Sequence, residues 1–461
     1  MSDNQRLGSS FRDPSGFIYQ KDGCLLRQIN PSYFPTFTSL KSSGLLDDLI
    51  RANLVVPFEE VDLTLAHSTE AAAVIKPEKV ALISYPYEWS FSQYRAAALA
   101  TLQIQRRAIE KDMVLKDASA YNIQFHNGNP VLIDTLSFEP YTPGKPWVAY
   151  RQFCQHFLAP LVLMSHVDVR LSRLMASFID GIPLDMASTI CKPMTRFNAG
   201  VGMHLHLHAK LQAKAAHEER RATPQGAFGK NALLGLVDSL NGLIEKLSWK
   251  PEGTEWANYY NETNYSESSM GEKHRLVQDF LDLVTPLPEM VWDLGANNGE
   301  FSALASKRGI QTVAWDIDPA AVEKNYLMRK GDTKMLPLIQ DLTNPSPAIG
   351  WANQERESLI QRGPVDVVMA LALIHHLAIG NNVPLSDISQ FLSRIGKWLI
   401  IEFVPKEDSQ TQKLLAAKED VFPHYHRDAF ELAFHNAFEI IRKVDISGTQ
   451  RTLYLLKNRS H

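Results

Sequence analysis

Cysteine is scarce: Cys24, Cys154 and Cys191 are the only three in 461 residues, and no two form a CxxC pair. That spacing excludes a disulfide framework and a zinc ribbon, and it fits a reducing compartment. An excess of either charge is also missing, since 47 Lys and Arg against 51 Asp and Glu leave a net charge of −4. Bulk electrostatics therefore disfavours nucleic acid or an anionic membrane as partner. Apolar runs are short: residues 157–164 form one of the longest, far below the roughly 18–20 residues of a membrane span. The opening MSDNQRLGSSFRDPSG lacks the basic stretch and apolar core of a secretory signal. Repeats and low-complexity tracts are absent too. The expectation is a cytoplasmic protein that does not touch membrane.

What the chain does have is apolar material, 45% of residues against 21% charged, enough for more than one core. A polar, charged segment at 213–229 reads as a linker, followed by helically spaced leucines at 233, 236, 240, 243 and 247. The spacing predicts an amino-terminal unit over 1–215, a helical connector over 216–250 and a second unit over 251–461.

The second unit alternates strand-like and helical runs. Strands are expected at 290–294, 312–315, 334–339, 365–370, 398–403, 438–444 and 452–456, and helices through about 307 and at 319–329, 388–395 and 427–434. Such alternation predicts an α/β domain with a mostly parallel, seven-stranded sheet, binding its ligand at the carboxyl ends of the strands. The chemistry-bearing residues fall there. The first strand runs into Asp293-Leu-Gly295-Ala-Asn297-Asn-Gly299, a turn whose glycines permit close backbone approach and whose Asn297 tolerates a left-handed conformation. Asp316 ends the second strand, 23 residues on, where a carboxylate can accept two ribose hydroxyls. Asp341 and Leu342 end the third, placed to meet an adenine.

A dinucleotide site would need glycine at 297 and 300, where Asn297 and Glu300 stand, and Asp293 would repel a diphosphate. S-adenosylmethionine has no phosphate and carries a cationic end, so the chemistry favours it. The segment at 293–299 resembles motif I of the class I SAM-dependent methyltransferases. Residues 313–319, 340–342 and 366–377 resemble the second-, third- and fourth-strand motifs of that family, in order. The resemblance covers about 255–461 and implies a Rossmann-like methyltransferase domain with SAM held by Asp293, Gly295, Asn297, Gly299, Asp316, Asp341 and Leu342. Tyr259, Tyr260, Tyr265 and Lys273 lie upstream, where family members often close a segment over SAM. His375 and His376 follow the fourth strand and Glu402 ends the fifth, which makes them candidate catalytic groups for an acceptor that needs a proton removed. An Asn-Pro-Pro-Tyr signature for adenine or glutamine nitrogen is absent, and no cysteine stands at these strand ends.

In the amino-terminal half a helix is expected at 90–109, then Asp117, Asn122 five residues later and Asp134 twelve after that. The spacing resembles the catalytic loop of protein kinases and aminoglycoside phosphotransferases, and implies an α+β kinase-like accessory domain. In that family the first Asp orients a hydroxyl, and the Asn and second Asp hold magnesium. The sequence departs from the pattern: Leu115-Lys116-Asp117 replaces His-Arg-Asp, and only a hairpin at 16–23 precedes it, with no phosphate-binding glycine loop. His204, His206 and His208 share a face only on a strand, and no nearby Cys or carboxylate completes a set, so no metal site is expected. Segments at 11–16, 83–89 and 151–157 extend the likeness to a two-part bacterial methyltransferase family related to a rhizobial nodulation host-specificity protein. The resulting expectation is a SAM-dependent methyltransferase acting on a small molecule or biosynthetic intermediate. The alternatives are a phosphotransferase working through Asp117, Asn122 and Asp134, or a non-catalytic SAM-binding scaffold.

Overall fold

The computed structural model describes residues 4–211, 229–252, 265–416 and 419–461. The chain divides into two units, Met1–Lys250 with Ile349–Arg356, and Pro251–Ala348 with Glu357–His461.

In the first unit, β1 (Asn4–Arg6), β2 (Gly16–Lys21), β3 (Cys24–Ile29), β4 (Phe58–Val61) and β5 (Ala73–Pro77) form an antiparallel sheet in the order β1-β2-β3-β5-β4. The β2–β3 hairpin turns at Asp22 and Gly23, both at positive φ, as a two-residue Asp-Gly loop requires. The helix Phe91–Glu110 starts in a capping box of Ser90 and Gln93, and buries Phe91, Tyr94, Ala98 and Leu102 along one face. Beyond it lie two short ribbons, β6 (Met113–Leu115) with β9 (Phe138–Pro140), and β7 (Ile123–His126) with β8 (Asn129–Leu132). These ribbons frame the loop that carries Asp117, Asn122 and Asp134.

Two features of this unit differ from the sequence reading. The leucine-rich helix Lys230–Lys246, expected as a connector, folds into the first unit: Asp238 pairs with Arg106, and the carbonyl of Leu247 accepts from Arg95 Nη1 at 3.2 Å. Its stripe of Leu233, Val237, Leu240 and Leu243 is buried, because a helix this amphipathic gains more from packing than from solvation. Most of the expected linker lies outside the described residues. The second feature is the return of Ile349–Arg356. Arg12 grips Glu355 with Nη2 at 2.6 Å and Nε at 3.0 Å, and the Arg356 guanidinium stacks 4.7 Å from the Tyr121 ring centroid.

The second unit holds one seven-stranded sheet of β10 (Met290–Leu294), β11 (Gln311–Asp316), β12 (Met335–Ile339), β13 (Val365–Ala370), β14 (Gly396–Phe403), β15 (Phe438–Asp445) and β16 (Thr452–Asn458). The order is β12-β11-β10-β13-β14-β16-β15; the first five are parallel, and β16 runs antiparallel between β14 and β15. The parallel strands are covered on both faces, which is why they read as near-continuous apolar runs. On one face Leu276, Val277 and Phe280 of the helix Glu267–Leu283 join Val291, Val367, Met369 and Ile400 in a core. Another contact is the edge-on pair Trp292 and Trp315, fully buried with ring centroids 5.7 Å apart. The chain leaves β10 toward β11 and β12, then crosses back to β13. That reversal opens a crevice at the carboxyl ends of β10 and β13.

Because the helix Lys230–Lys246 is part of the first unit's core, Leu240→Ala is expected to cost that unit about 2–5 kcal/mol. Urea denaturation followed by circular dichroism checks this; a loss under about 0.5 kcal/mol would mean a merely tethered helix.

Candidate active site

The turn after β10 is built around three left-handed residues, Gly295, Asn297 and Gly299, with φ of 73°, 49° and 76°. Gly295 and Ala296 both donate their N–H to the Trp315 carbonyl at 2.9 Å, which ties the turn to the neighbouring strand. A Cβ at Gly299 would sit 2.5 Å from the Asn325 side chain, so the turn cannot widen there without a shift. Gly295 faces solvent and leaves its backbone open to a ligand.

Asn297 does more than replace a glycine. Its N–H donates to Asp316 Oδ2 at 2.7 Å, while Asp318 N–H donates to Oδ1 at 2.8 Å. These donors aim a carboxylate that is only 7% exposed. Burial, reinforced by the nearby Asp318 charge, pushes the Asp316 carboxyl up to about 6 despite those hydrogen bonds. Asp293 is buried as well, accepts from Ser302 Oγ at 2.6 Å and is likewise pushed by burial to about 6. Asp341 accepts from Thr343 N and Oγ1 at 2.9 and 2.6 Å, and Leu342 beside it is half-buried. The strand ends thus bring Asp293, Gly295, Asn297, Gly299, Asp316, Asp341 and Leu342 to one edge of the sheet.

At the end of β13, Ala372 adopts a φ of 50° and donates its N–H to Glu402 Oε2 at 2.8 Å. His375 is 1% exposed and its Nδ1 has no hydrogen-bond partner among the described residues. The His376 ring lies 4.1 Å from it. Burial drives both imidazoles toward the neutral form, His375 far below its usual range and His376 to about 4, with Arg451 adding to each shift.

Glu402 stands differently from the sequence expectation of a proton acceptor. It is fully buried, and its oxygens accept from Lys273 Nζ at 2.6 Å, Arg451 Nη1 at 3.3 Å, the Tyr265 hydroxyl and Ala372 N–H. Burial alone would raise its pKa, but Lys273 and Arg451 outweigh burial and bring it down to about 2. A carboxylate held this firmly as the anion is a poor base at neutral pH, so the geometry gives Glu402 a positioning role. Arg451 also forks onto Asp408, Nε to Oδ2 at 2.7 Å and Nη2 to Oδ1 at 3.0 Å. Lys273 lies 4.6 Å from the Phe301 ring centroid. Sequence reasoning found Lys273 and Tyr265 but missed Arg451 and Asp408, which sit in no motif. Tyr259 and Tyr260 lie outside the described residues.

In the first unit the structure brings Asp117, Asn122 and Asp134 together. Asp117 accepts from Ser119 N–H at 3.0 Å and Gln152 Nε2 at 2.7 Å, and burial, then the charge of Asp134, push its carboxyl up. Asp134 accepts from Ser137 Oγ at 2.7 Å and Leu136 N–H at 3.1 Å, and pairs with Arg27 of β3, a residue the sequence reading missed. The three histidines fall on a helical turn. His204 lies between the Tyr150 hydroxyl and Ser239 Oγ, His206 between Ser188 Oγ and Thr195 Oγ1, and His208 stacks on Tyr150. Among the described residues, no group of three or more His, Cys, Asp or Glu is placed to hold a metal ion. No helix among them is long and apolar enough to cross a membrane.

No protein-family model matches the chain. Across 97% of its length, however, it is 33% identical to "Nodulation protein NoeA" of Rhizobium meliloti (strain 1021), covering 95% of that protein. The chain belongs to the NoeA family. Three solved structures show weaker likeness. The bifunctional kinase-methyltransferase WbdD is 16% identical at a TM-score of 0.31, the match covering 47% of this chain and 46% of WbdD. Magnesium protoporphyrin IX methyltransferase (ChlM) from Synechocystis PCC 6803, with bound SAH, is 18% identical at a TM-score of 0.30. That match covers 44% of this chain and 92% of ChlM. N-methyltransferase NodS from Bradyrhizobium japonicum WM9 is 10% identical at a TM-score of 0.30, over 42% of this chain and 98% of NodS. This NoeA-family chain thus spans about half the length of WbdD, and scores this low leave the argument to its own geometry.

Glu402→Gln removes the one anion shared by two buried cations, so the second unit is expected to lose about 3–5 kcal/mol, measured by urea unfolding. A second expectation concerns pH. Between the ordinary 3.8 and about 6, the unfolded chain has lost an Asp316 proton that the folded chain keeps. Folded stability therefore falls as pH rises through that window. His375 and His376 act in the opposite sense, so the stability difference between parent and Asp316→Asn isolates the aspartate. That difference is expected to shrink with rising pH; a flat or growing difference contradicts the buried carboxyl.

Proposed function

We infer that the second unit is a SAM-dependent methyltransferase, and that its acceptor is a small molecule or biosynthetic intermediate. The observation that carries this reading is Asp316, a buried carboxylate at the carboxyl end of β11, beside the glycine turn after β10, with one oxygen held by the Asn297 amide and the other by the Asp318 amide. A carboxylate so placed suits the paired hydroxyls of a ribose. The donor set fits the rest of SAM as well: Asp341 and Leu342 suit an adenine amine and ring, and the open backbone at Gly295 suits close approach of an uncharged sugar. Asp293 and Asp316 make the crevice hostile to a diphosphate, which supports SAM over a dinucleotide. SAM, when bound, supplies an activated methyl group for in-line displacement.

The chain's own residues supply position. Glu402, itself gripped by Arg451, holds the left-handed kink at Ala372 in the turn after β13, just before His375 and His376. Burial keeps His375 neutral and far below its usual range, so it is a weak base at neutral pH, and it serves the site by packing against His376 behind the β13 end. Proximity and orientation carry the remainder of the rate, as methyl transfer needs little else.

Calorimetric titration with S-adenosylhomocysteine tests the reading. Micromolar binding is expected, weakened by about tenfold or more in Asp316→Ala, the scale of losing hydrogen bonds to a charged group. Absence of binding by the folded parent, or equal binding by the variant, would remove the methyltransferase assignment.

A further inference from the structure

The first unit gathers oxygen ligands of the kind a small divalent cation takes: carboxylates of Asp117 and Asp134 with the carboxamide of Asn122 beside them. The structure pairs a protein cation with one member of that cluster, Asp134. Arg27 projects from β3, the middle strand of the five-stranded sheet, where its backbone is registered between Ile18 of β2 and Ile75 of β5. Its Nη1 donates to Asp134 Oδ1, and only 10% of the Arg27 side chain and 15% of the Asp134 side chain are exposed.

We propose that Arg27 takes the place of a metal ion in the first unit: its guanidinium is the resident counter-ion of the Asp117, Asn122 and Asp134 cluster, which therefore takes up neither magnesium nor a magnesium-bound nucleotide.

Three observations support this. First, the oxygens of Asp134 are already engaged, Oδ1 by Arg27 and Leu136 N–H, Oδ2 by Ser137 Oγ at 2.7 Å. Asp117 Oδ1 is engaged by Ser119 and Gln152. A divalent cation at Asp134 Oδ1 would have to displace a guanidinium anchored by a central strand, and would be repelled by it. Second, Lys116, the residue before Asp117, directs its ammonium elsewhere. Lys116 Nζ donates to Ser15 Oγ at 2.7 Å, lies 3.6 Å from Asp13 Oδ1 and 4.8 Å from the Tyr33 ring centroid. Third, Arg is the side chain suited to this task, since its guanidinium stays charged when buried, whereas a Lys readily loses its proton there. This inference concerns the first unit only and stands or falls independently of SAM binding.

The test is Mn²⁺ binding to the full-length chain, read by electron paramagnetic resonance, with and without ATP. The parent is expected to bind no Mn²⁺ in either case. Arg27→Gln is expected to gain Mn²⁺ affinity by about tenfold or more, and the gain should vanish in Arg27→Gln/Asp134→Asn. Should Arg27→Gln melt early, added Mn²⁺ is expected to raise its Tm and leave that of the parent unchanged. Mn²⁺ binding by the parent that Asp134→Asn abolishes would overturn the proposal. So would an Arg27→Gln variant that gains neither Mn²⁺ affinity nor a Tm response.

Discussion

The second unit depends on a carboxylate that never meets water. Glu402 ends β14 with no exposed surface, and two cations, a tyrosine hydroxyl and a backbone amide converge on it. Burying such a charge alone is prohibitive, so its presence obliges Lys273 and Arg451 to be in place. Lys273 comes from the helix before β10, Arg451 from the residue that precedes β16, and the amide from the turn after β13. One ion cluster thus fixes the mutual position of four elements around the crevice. Apolar packing alone would allow those elements to slide; a charge that tolerates no gap in its donors does not.

The same logic recurs in the first unit with different actors. There Asp134 is the buried anion and Arg27 its cation, joining the middle of the sheet to the loop after β8. In both units a strand or its edge carries one member of the pair, so backbone registry becomes charge registry. A one-residue slip of β3 would turn Arg27 to the other face and expose the pair's cost at once.

Much of the second unit was legible in sequence because its parallel strands are short apolar runs bounded by turn residues. Strands β10 and β13 fall at the expected residues, 290–294 and 365–370. The turn after β10 was legible for a related reason: glycine and asparagine are the residues that accept a left-handed backbone, so their pattern records the conformation directly. Arg451 and Arg27 left no such trace. Each is one basic residue among many, and its partner lies 49 or 107 positions away. Long-range charge pairing carries no period and no local signature. The leucine-rich helix was recognised as a helix, yet its membership in the first unit was not, because periodicity reveals that a face is buried and not what buries it.

The return of Ile349–Arg356 sets a limit on how this chain can be divided. The first unit is assembled from two stretches of sequence separated by nearly a hundred residues that belong to the second. A scission after Lys250 therefore does not yield two whole parts. The amino-terminal fragment would lack the acid that Arg12 grips and the guanidinium that stacks on Tyr121. The carboxy-terminal fragment would carry both on a segment with nothing of its own to fold into. Any gene that encodes only one half inherits a gap or an orphan, which binds the two units into a single heritable piece.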